Sequence, residues 1–249
     1  MIPRLIHQSW KTREIPEHLR EFQRSWQVHH PAWEYRLWTD EDNQRLIDEH
    51  YPQFAAFYQK LSPSILKADF VRMAYLHHLG GLYVDLDFEA LRPLDALLDQ
   101  SQIVVGREPN GAGSFLRGHD YIVNALIASP AGHPVWLEIM KTIQDRFRAR
   151  RFFEMNVFYI MRMTIDLFDE VLNAYQTNHD DIMIHPHEAF YPASPSVRLV
   201  ETRRALAARH DSYAIHHYEH TWVGLCFRLY GFGLKRWQMI RRRPDITPP

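Results

Sequence analysis

At 249 residues, with 46% hydrophobic and 24% charged side chains, the chain has the length and composition of one large α/β domain with a full core. Its net charge of −1 speaks against a general nucleic-acid binder, because no basic excess is available to neutralise phosphates. The lone cysteine, Cys226, rules out an internal disulfide framework and a cysteine-based zinc site, and it suits a reducing compartment.

Met1–His7 leads straight into a predicted strand rather than a leader. No apolar run approaches the roughly 18–20 residues that cross a bilayer. The expectation is a cytoplasmic protein, either soluble or attached at the inner face of the membrane.

In chain order, Ile2–His7 reads as a first strand and Gln8–Arg13 as the loop at its carboxyl end. Pro16 suits the first turn of a helix carrying Leu19, Phe22 and Trp26, which Pro31 closes. Glu34–Trp38 alternates as a second strand, and Thr39 or Asp40 caps a helix containing Leu46 and Ile47. Pro63 and Ser64 open a helix running to His78 or Leu79, with Leu66, Phe70, Met73, Ala74 and Leu76 on its buried side. Asp69 and Arg72, three apart, share one face of it. Ile103–Val105 reads as a central strand, residues 106–120 as a loop, and Tyr121–Ala128 as a short apolar element containing Asn124. Helices are expected over Pro134–Arg150 and over 152–175, the latter with Phe158, Met161, Ile165 and Phe168 inward. Prolines 186, 192 and 195 mark an irregular connection to a last strand, Ser212–His217. This alternation predicts an open, mostly parallel sheet with helices on both faces.

The chemistry gathers in Leu79–Phe88. Gly80 and Gly81 supply the left-handed backbone that ends a helix and starts a tight turn. Leu82, Tyr83 and Val84 suit a buried strand. Asp85 and Asp87 follow one residue apart, and residues two apart on a strand share a face, roughly 6.5–7 Å apart at Cα. Two carboxylates at a buried strand end repel each other and resist desolvation, so a positive partner is expected between them. A hard divalent cation carrying a phosphate meets that need.

Ile6-His7-Gln8-Ser9-Trp10, Trp38-Thr39-Asp40, Ala68-Asp69-x-x-Arg72 and Gly80-Gly81-x-Tyr83-x-Asp85-x-Asp87 together resemble the glycosyltransferases of family 32. That family includes initiating α-1,6-mannosyltransferases, capsular-polysaccharide transferases and sphingolipid glycosyltransferases. Asn124-Ala125 with Gly132-His133-Pro134, Phe190-Tyr191-Pro192 and His216-His217-x-x-x-Thr221-Trp222 continue the likeness, which spans residues 2–222.

The resemblance implies a GT-A fold and transfer of a hexose, with retention, from a UDP- or GDP-sugar to a polysaccharide or glycolipid acceptor. It implies that Asp87 ligates the metal directly, that Asp85 holds the donor's ribose and metal-bound water, and that His217 is a further metal contact. An imidazole ligand suits manganese better than magnesium. By the same resemblance Trp10 lies against the nucleotide base, Asp69 contacts ribose or sugar hydroxyls, and Arg72 contacts sugar or phosphate. Asn124 would hydrogen-bond the donor sugar, Trp222 would lie on the diphosphate, and Tyr83 belongs to the donor-binding motif. A structural ion pair is the alternative reading of Asp69 and Arg72, and a core aromatic that of Trp10 and Trp222. No general base is nominated, because reactions of this type let the leaving phosphate accept the proton.

Many family members carry a Thr-Gly-Pro turn on the acceptor side, and here Met155-Asn156-Val157-Phe158 stands in its place. That departure keeps a second reading open, a non-catalytic nucleotide-sugar-binding protein of the same fold. The expected organisation is a catalytic domain over 1–227 and a tail over 228–249. The tail carries Arg228, Lys235, Arg236 and Arg241–Arg243 interleaved with Trp237, Met239 and Ile240. Such a tail offers a peripheral contact with an anionic membrane, or is simply a solvated basic end.

Overall fold

The computed structural model describes residues 1–98, 102–109, 120–148, 150, 152, 156–195 and 197–219. Strand β1 (Leu5–Ser9) is buried over Leu5–Gln8, so both of its faces must be covered. Helix α1 (Glu17–His29) buries Leu19, Phe22 and Trp26, the expected stripe. Strand β2 (Glu34–Trp38) comes next, and Thr39 caps α2 (Asp40–His50) through a capping box with Asp42. Helix α3 (Pro52–Lys60) leads to α4 (Ser64–Leu79), in which every residue from Asp69 to Leu76 is buried. A helix apolar nearly all round belongs in the middle of a domain.

Gly80 closes α4 at φ +64°, and Gly81 opens β3 (Gly81–Val84) at φ +95°. A Cβ on Gly81 would stand 2.4 Å from the Leu5 carbonyl oxygen, so only glycine lets β3 lie against β1 there. Beyond come β4 (Phe88–Ala90), α5 (Asp95–Leu98), β5 (Ile103–Glu108), β6 (Tyr121–Ser129) and α6 (Val135–Arg146). Helices α7 (Asn156–Met163) and α8 (Ile165–Gln176), strand β7 (Ile182–His185), α9 (His187–Phe190), α10 (Val200–His210) and β8 (Ala214–His216) complete the described unit, Met1–Tyr218.

The six-stranded sheet runs β2-β1-β3-β6-β5-β7. Its pairs are parallel except the two made by β6, so it is mostly parallel as expected. The carboxyl ends of β1, β3 and β5 therefore lie along one edge, where open α/β sheets bind ligands. A separate antiparallel ribbon pairs β4 with β8.

Several expectations change. Strand β1 continues to Ser9, taking Gln8 out of the expected loop and into the sheet. The helix expected over 152–175 is two helices, parted at Thr164, whose hydroxyl bonds back to the Ile160 carbonyl at 3.0 Å. Phe158 is exposed, while Tyr159, Ile160 and Met163 face inward. The helix expected to reach Arg150 ends at Arg146. No described helix is long and apolar enough to cross a membrane. The expected tail, 228–249, lies outside the described residues.

Candidate active site

Strand β3 stops at Val84, so Asp85 and Asp87 do not share a strand face. They bracket a tight turn instead, closed by the Phe88 N–H donating to the Asp85 carbonyl at 3.1 Å. The turn is pinned from three sides. Asp85 N–H donates to the Ala125 carbonyl at 2.9 Å, Gln8 Nε2 to the Asp85 carbonyl at 3.3 Å, and His217 N–H to the Asp87 carbonyl at 2.8 Å. Leu86, between the carboxylates, joins Ile15, Leu19 and Phe22 in a small core cluster against which half-buried Trp10 packs. Trp10 is thus brought to the carboxylate turn.

The side chain of Asp85 is held from behind. Tyr83 Oη donates to its Oδ1 at 2.6 Å, and Arg72 Nη2 stands 3.4 Å from the same oxygen. Arg72 is 2% exposed and meets Asp85 from the core side. Its Nη2 also meets Asp69 Oδ1 at 2.8 Å, its Nη1 donates to the Asn124 carbonyl at 2.7 Å, and its Cζ lies 4.5 Å from the Tyr83 ring centroid. Asn124 Nδ2 closes the ring by donating to Asp69 Oδ1 at 3.2 Å. Asp69, Arg72, Tyr83, Asn124 and Asp85 form one connected group. Within it Asp69, Arg72 and Asn124 are buried, and Arg72 meets Asp85 directly.

Burial raises the pKa of Asp85, the Arg72 charge opposes that shift, and neighbouring Asp87 adds to it. Burial likewise raises Asp69, with Arg72 again opposing. One guanidinium thus serves two carboxylates, Asp69 and Asp85.

A further partner for the turn comes from β8. Pairing of Phe88 with His216 lays the His216 ring on Phe88, with centroids 4.6 Å apart and planes 3° apart. His216 Nε2 then stands 3.2 Å from Asp87 Oδ1. Burial works to lower the His216 pKa, but the Asp87 carboxylate, aided by Asp85 and Glu108, raises it above the ordinary value. Ligand atoms of Asp85, Asp87 and His216 all lie within 4.8 Å of one another, and among the described residues they are the group so placed. Two carboxylate oxygens and one imidazole nitrogen so placed fit a divalent cation.

The histidine that this geometry brings to Asp87 is His216, where the resemblance implied His217. Strand β8 ends at His216, and His217 lies just past it. His217 turns instead to Glu89, with Nε2 2.9 Å from Oε2, and stacks on Phe22. Sequence reasoning also passed over Glu108, at the carboxyl end of β5, whose carboxyl burial pushes up to about 7, with His216 opposing and Asp120 adding. Thr221, Trp222 and Met155 lie outside the described residues.

A mostly parallel sheet with an Asp-x-Asp turn at its carboxyl edge is the plan of a GT-A glycosyltransferase. The solved structure titled "PaToxG Glycosyltransferase" superposes over 86% of this chain and 89% of that one, with a TM-score of 0.51 at 16% identity, a likeness of fold. Residues 16–104 match the family described as "Glycosyltransferase sugar-binding region containing DXD motif". It is 38% identical over 142 residues to inositol phosphoceramide mannosyltransferase 3 of Schizosaccharomyces pombe, covering 57% of this chain and 37% of that protein. It is 35% identical over 144 residues to a mannosyl phosphorylinositol ceramide synthase of Saccharomyces cerevisiae, covering 58% and 35%. With the initiation-specific alpha-1,6-mannosyltransferase of Candida albicans the identity is 30% over 165 residues, covering 57% and 43%. The chain thus spans well under half the length of these three relatives.

Proposed function

We propose that the chain is a metal-dependent, retaining glycosyltransferase that moves a hexose from a nucleotide-diphosphate sugar to a lipid-linked or saccharide acceptor. The observation that carries this reading is the convergence of Asp85, Asp87 and His216 at the carboxyl end of β3. Asp87 and His216 would hold the cation, with Asp85 alongside, its Oδ1 already taken by Tyr83 and Arg72. The imidazole favours manganese over magnesium. A bound cation supplies Lewis-acid stabilisation of the charge that builds on the leaving diphosphate.

By family resemblance Trp10, in the segment just past β1, would stack on the base, a contact worth about 1–3 kcal/mol and tolerant of base identity. Trp222 is assigned to the diphosphate by family resemblance alone. The names of the three relatives favour mannose as the sugar, and two of them favour an inositol-phosphate ceramide as acceptor. A basic tail after residue 227 would suit an acceptor held at a membrane surface.

The test measures donor hydrolysis and transfer with and without Mn2+, in wild type and in Asp87→Ala. Turnover that needs the ion and disappears in the variant supports the reading. Undiminished turnover in Asp87→Ala sinks it, and tight donor binding without turnover over a broad acceptor panel points to a non-catalytic binding protein.

A further inference from the structure

Ribbon β4–β8 is a weak support for a metal ligand. It joins two three-residue strands through the pairs Phe88–His216, Glu89–Ile215 and Ala90–Ala214. An isolated two-stranded ribbon is marginal in water. Yet His216, the one member of the cluster not carried by the β3 turn, sits at its last position, next to the described limit of the unit.

The neighbouring residue, His217, is held far more firmly than the ribbon alone would hold it. Its side chain is fully enclosed, its ring parallel to Phe22 at 4.1 Å and 5°, its Nε2 2.9 Å from Glu89 Oε2. Glu89 is gripped in turn by Arg204, whose Nε lies 3.1 Å from both carboxylate oxygens and whose Nη2 lies 2.8 Å from Oε1. The same Nη2 reaches Glu21 of α1 at 2.8 Å, tying α10 and β4 to that helix. The His217 backbone is pinned as well. Its N–H donates to the Asp87 carbonyl, and its carbonyl accepts from Arg203. Burial works to raise the Glu89 pKa, but His217 and Arg204 together bring it below the ordinary value, so the clamp holds a carboxylate.

We infer that Glu89, clasped by Arg204 and His217, is a positioning residue that fixes His216 against Asp87 and thereby sets the cation affinity of the cluster. The inference rests on the cation-binding reading above. His217 and His216 are consecutive, so rotation or slippage of one moves the other. Locking His217 on Glu89, one residue past the end of β8, holds the His216 backbone where its ring lies over Phe88 and toward Asp87. Outer-shell groups that orient metal ligands typically change metal affinity by about 10–100-fold when removed.

The test titrates the full chain with Mn2+, alone and with saturating UDP or GDP, and follows the free-ion signal by electron paramagnetic resonance. Thermal melts of every variant run in parallel. Glu89→Gln and Arg204→Met should bind Mn2+ about 10–100-fold more weakly while still melting as folded proteins. Arg204→Lys, which can still meet Glu89 with one charge, should recover part of the loss. Arg146→Met, which breaks the exposed pair with Glu170, should change nothing. If Asp87→Ala loses Mn2+ but Glu89→Gln and Arg204→Met bind like wild type, the positioning role is wrong and the cation reading stands. Affinity lost only in proportion to unfolded protein in the melts also overturns the positioning role. If wild type binds no Mn2+ under either condition, the cation reading fails and the inference falls with it.

Discussion

Arg72→Met is the substitution whose consequences the structure defines most fully. Methionine keeps much of the side-chain volume and removes the charge. Arg72 is 2% exposed, and its guanidinium meets Asp69 at 2.8 Å, Asp85 at 3.4 Å and the Asn124 carbonyl at 2.7 Å. Removing one partner of a buried ion pair costs about 3–5 kcal/mol, because the other charge is left without compensation. Asp69, 6% exposed, is the group abandoned here, and burial already raises its pKa against the pull of Arg72. Without Arg72 that pKa rises further above its unfolded value. The folded variant then holds a proton that the unfolded chain has lost, and its stability falls as pH rises.

Urea unfolding followed by tryptophan fluorescence should therefore show a larger deficit at pH 8 than at pH 5. Adding Asp69→Asn should recover at least about 1 kcal/mol, since an amide needs no counter-charge. A loss below about 1 kcal/mol at pH 7, or no recovery in the double variant, would refute the reasoning.

Glu108 gives a pH signature of its own. Its carboxyl is raised by burial from 4.5 to about 7, so its contribution to stability is intact below pH 4.5 and declines as pH rises through 7. Glu108→Gln should match wild type at pH 4 and exceed it at pH 8 by up to about 3 kcal/mol, as read from urea midpoints. Equal pH profiles would contradict this. Gly81→Ala forces a side chain into φ +95° and places Cβ 2.4 Å from the Leu5 carbonyl oxygen. It should cost at least about 2 kcal/mol and lower the melting temperature by several degrees. An unshifted melt would mean that the β1–β3 approach is looser than described.

The architecture was legible where signals are local. Gly80 and Gly81 end α4 and start β3 because their backbone angles exclude other residues, and that constraint is written in the sequence. The stripe of Leu19, Phe22 and Trp26 and the cap at Thr39 are local in the same sense. Helix α10 escaped notice because the residues it buries are Arg203 and Ala207, which make no apolar stripe. The spacing of Asp69 and Arg72 announced a pair, but not that it is buried or that Arg72 also serves Asp85.

At the site, the two carboxylates were legible and their geometry was not. A strand extended through Asp87 would part them on one face. The turn at Asp85 instead depends on contacts from Ala125, Gln8 and His217, which are distant in sequence. The choice between His216 and His217 was beyond local reasoning for the same cause. The pairing of β8 with Phe88 sets His216 beside Asp87, and β8 ends there.

The most direct measurement is donor turnover as a function of Mn2+ concentration in wild type, His216→Ala and His217→Gln. A cation held by Asp87 and His216 predicts no turnover in chelator for any of them. It also predicts half-saturation by Mn2+ at least about tenfold higher in His216→Ala than in wild type. For His217→Gln, whose side chain still reaches Glu89 but does not face the cluster, the rise should be smaller. Full activity in chelator, or the same Mn2+ requirement in wild type and His216→Ala, would contradict that cation site.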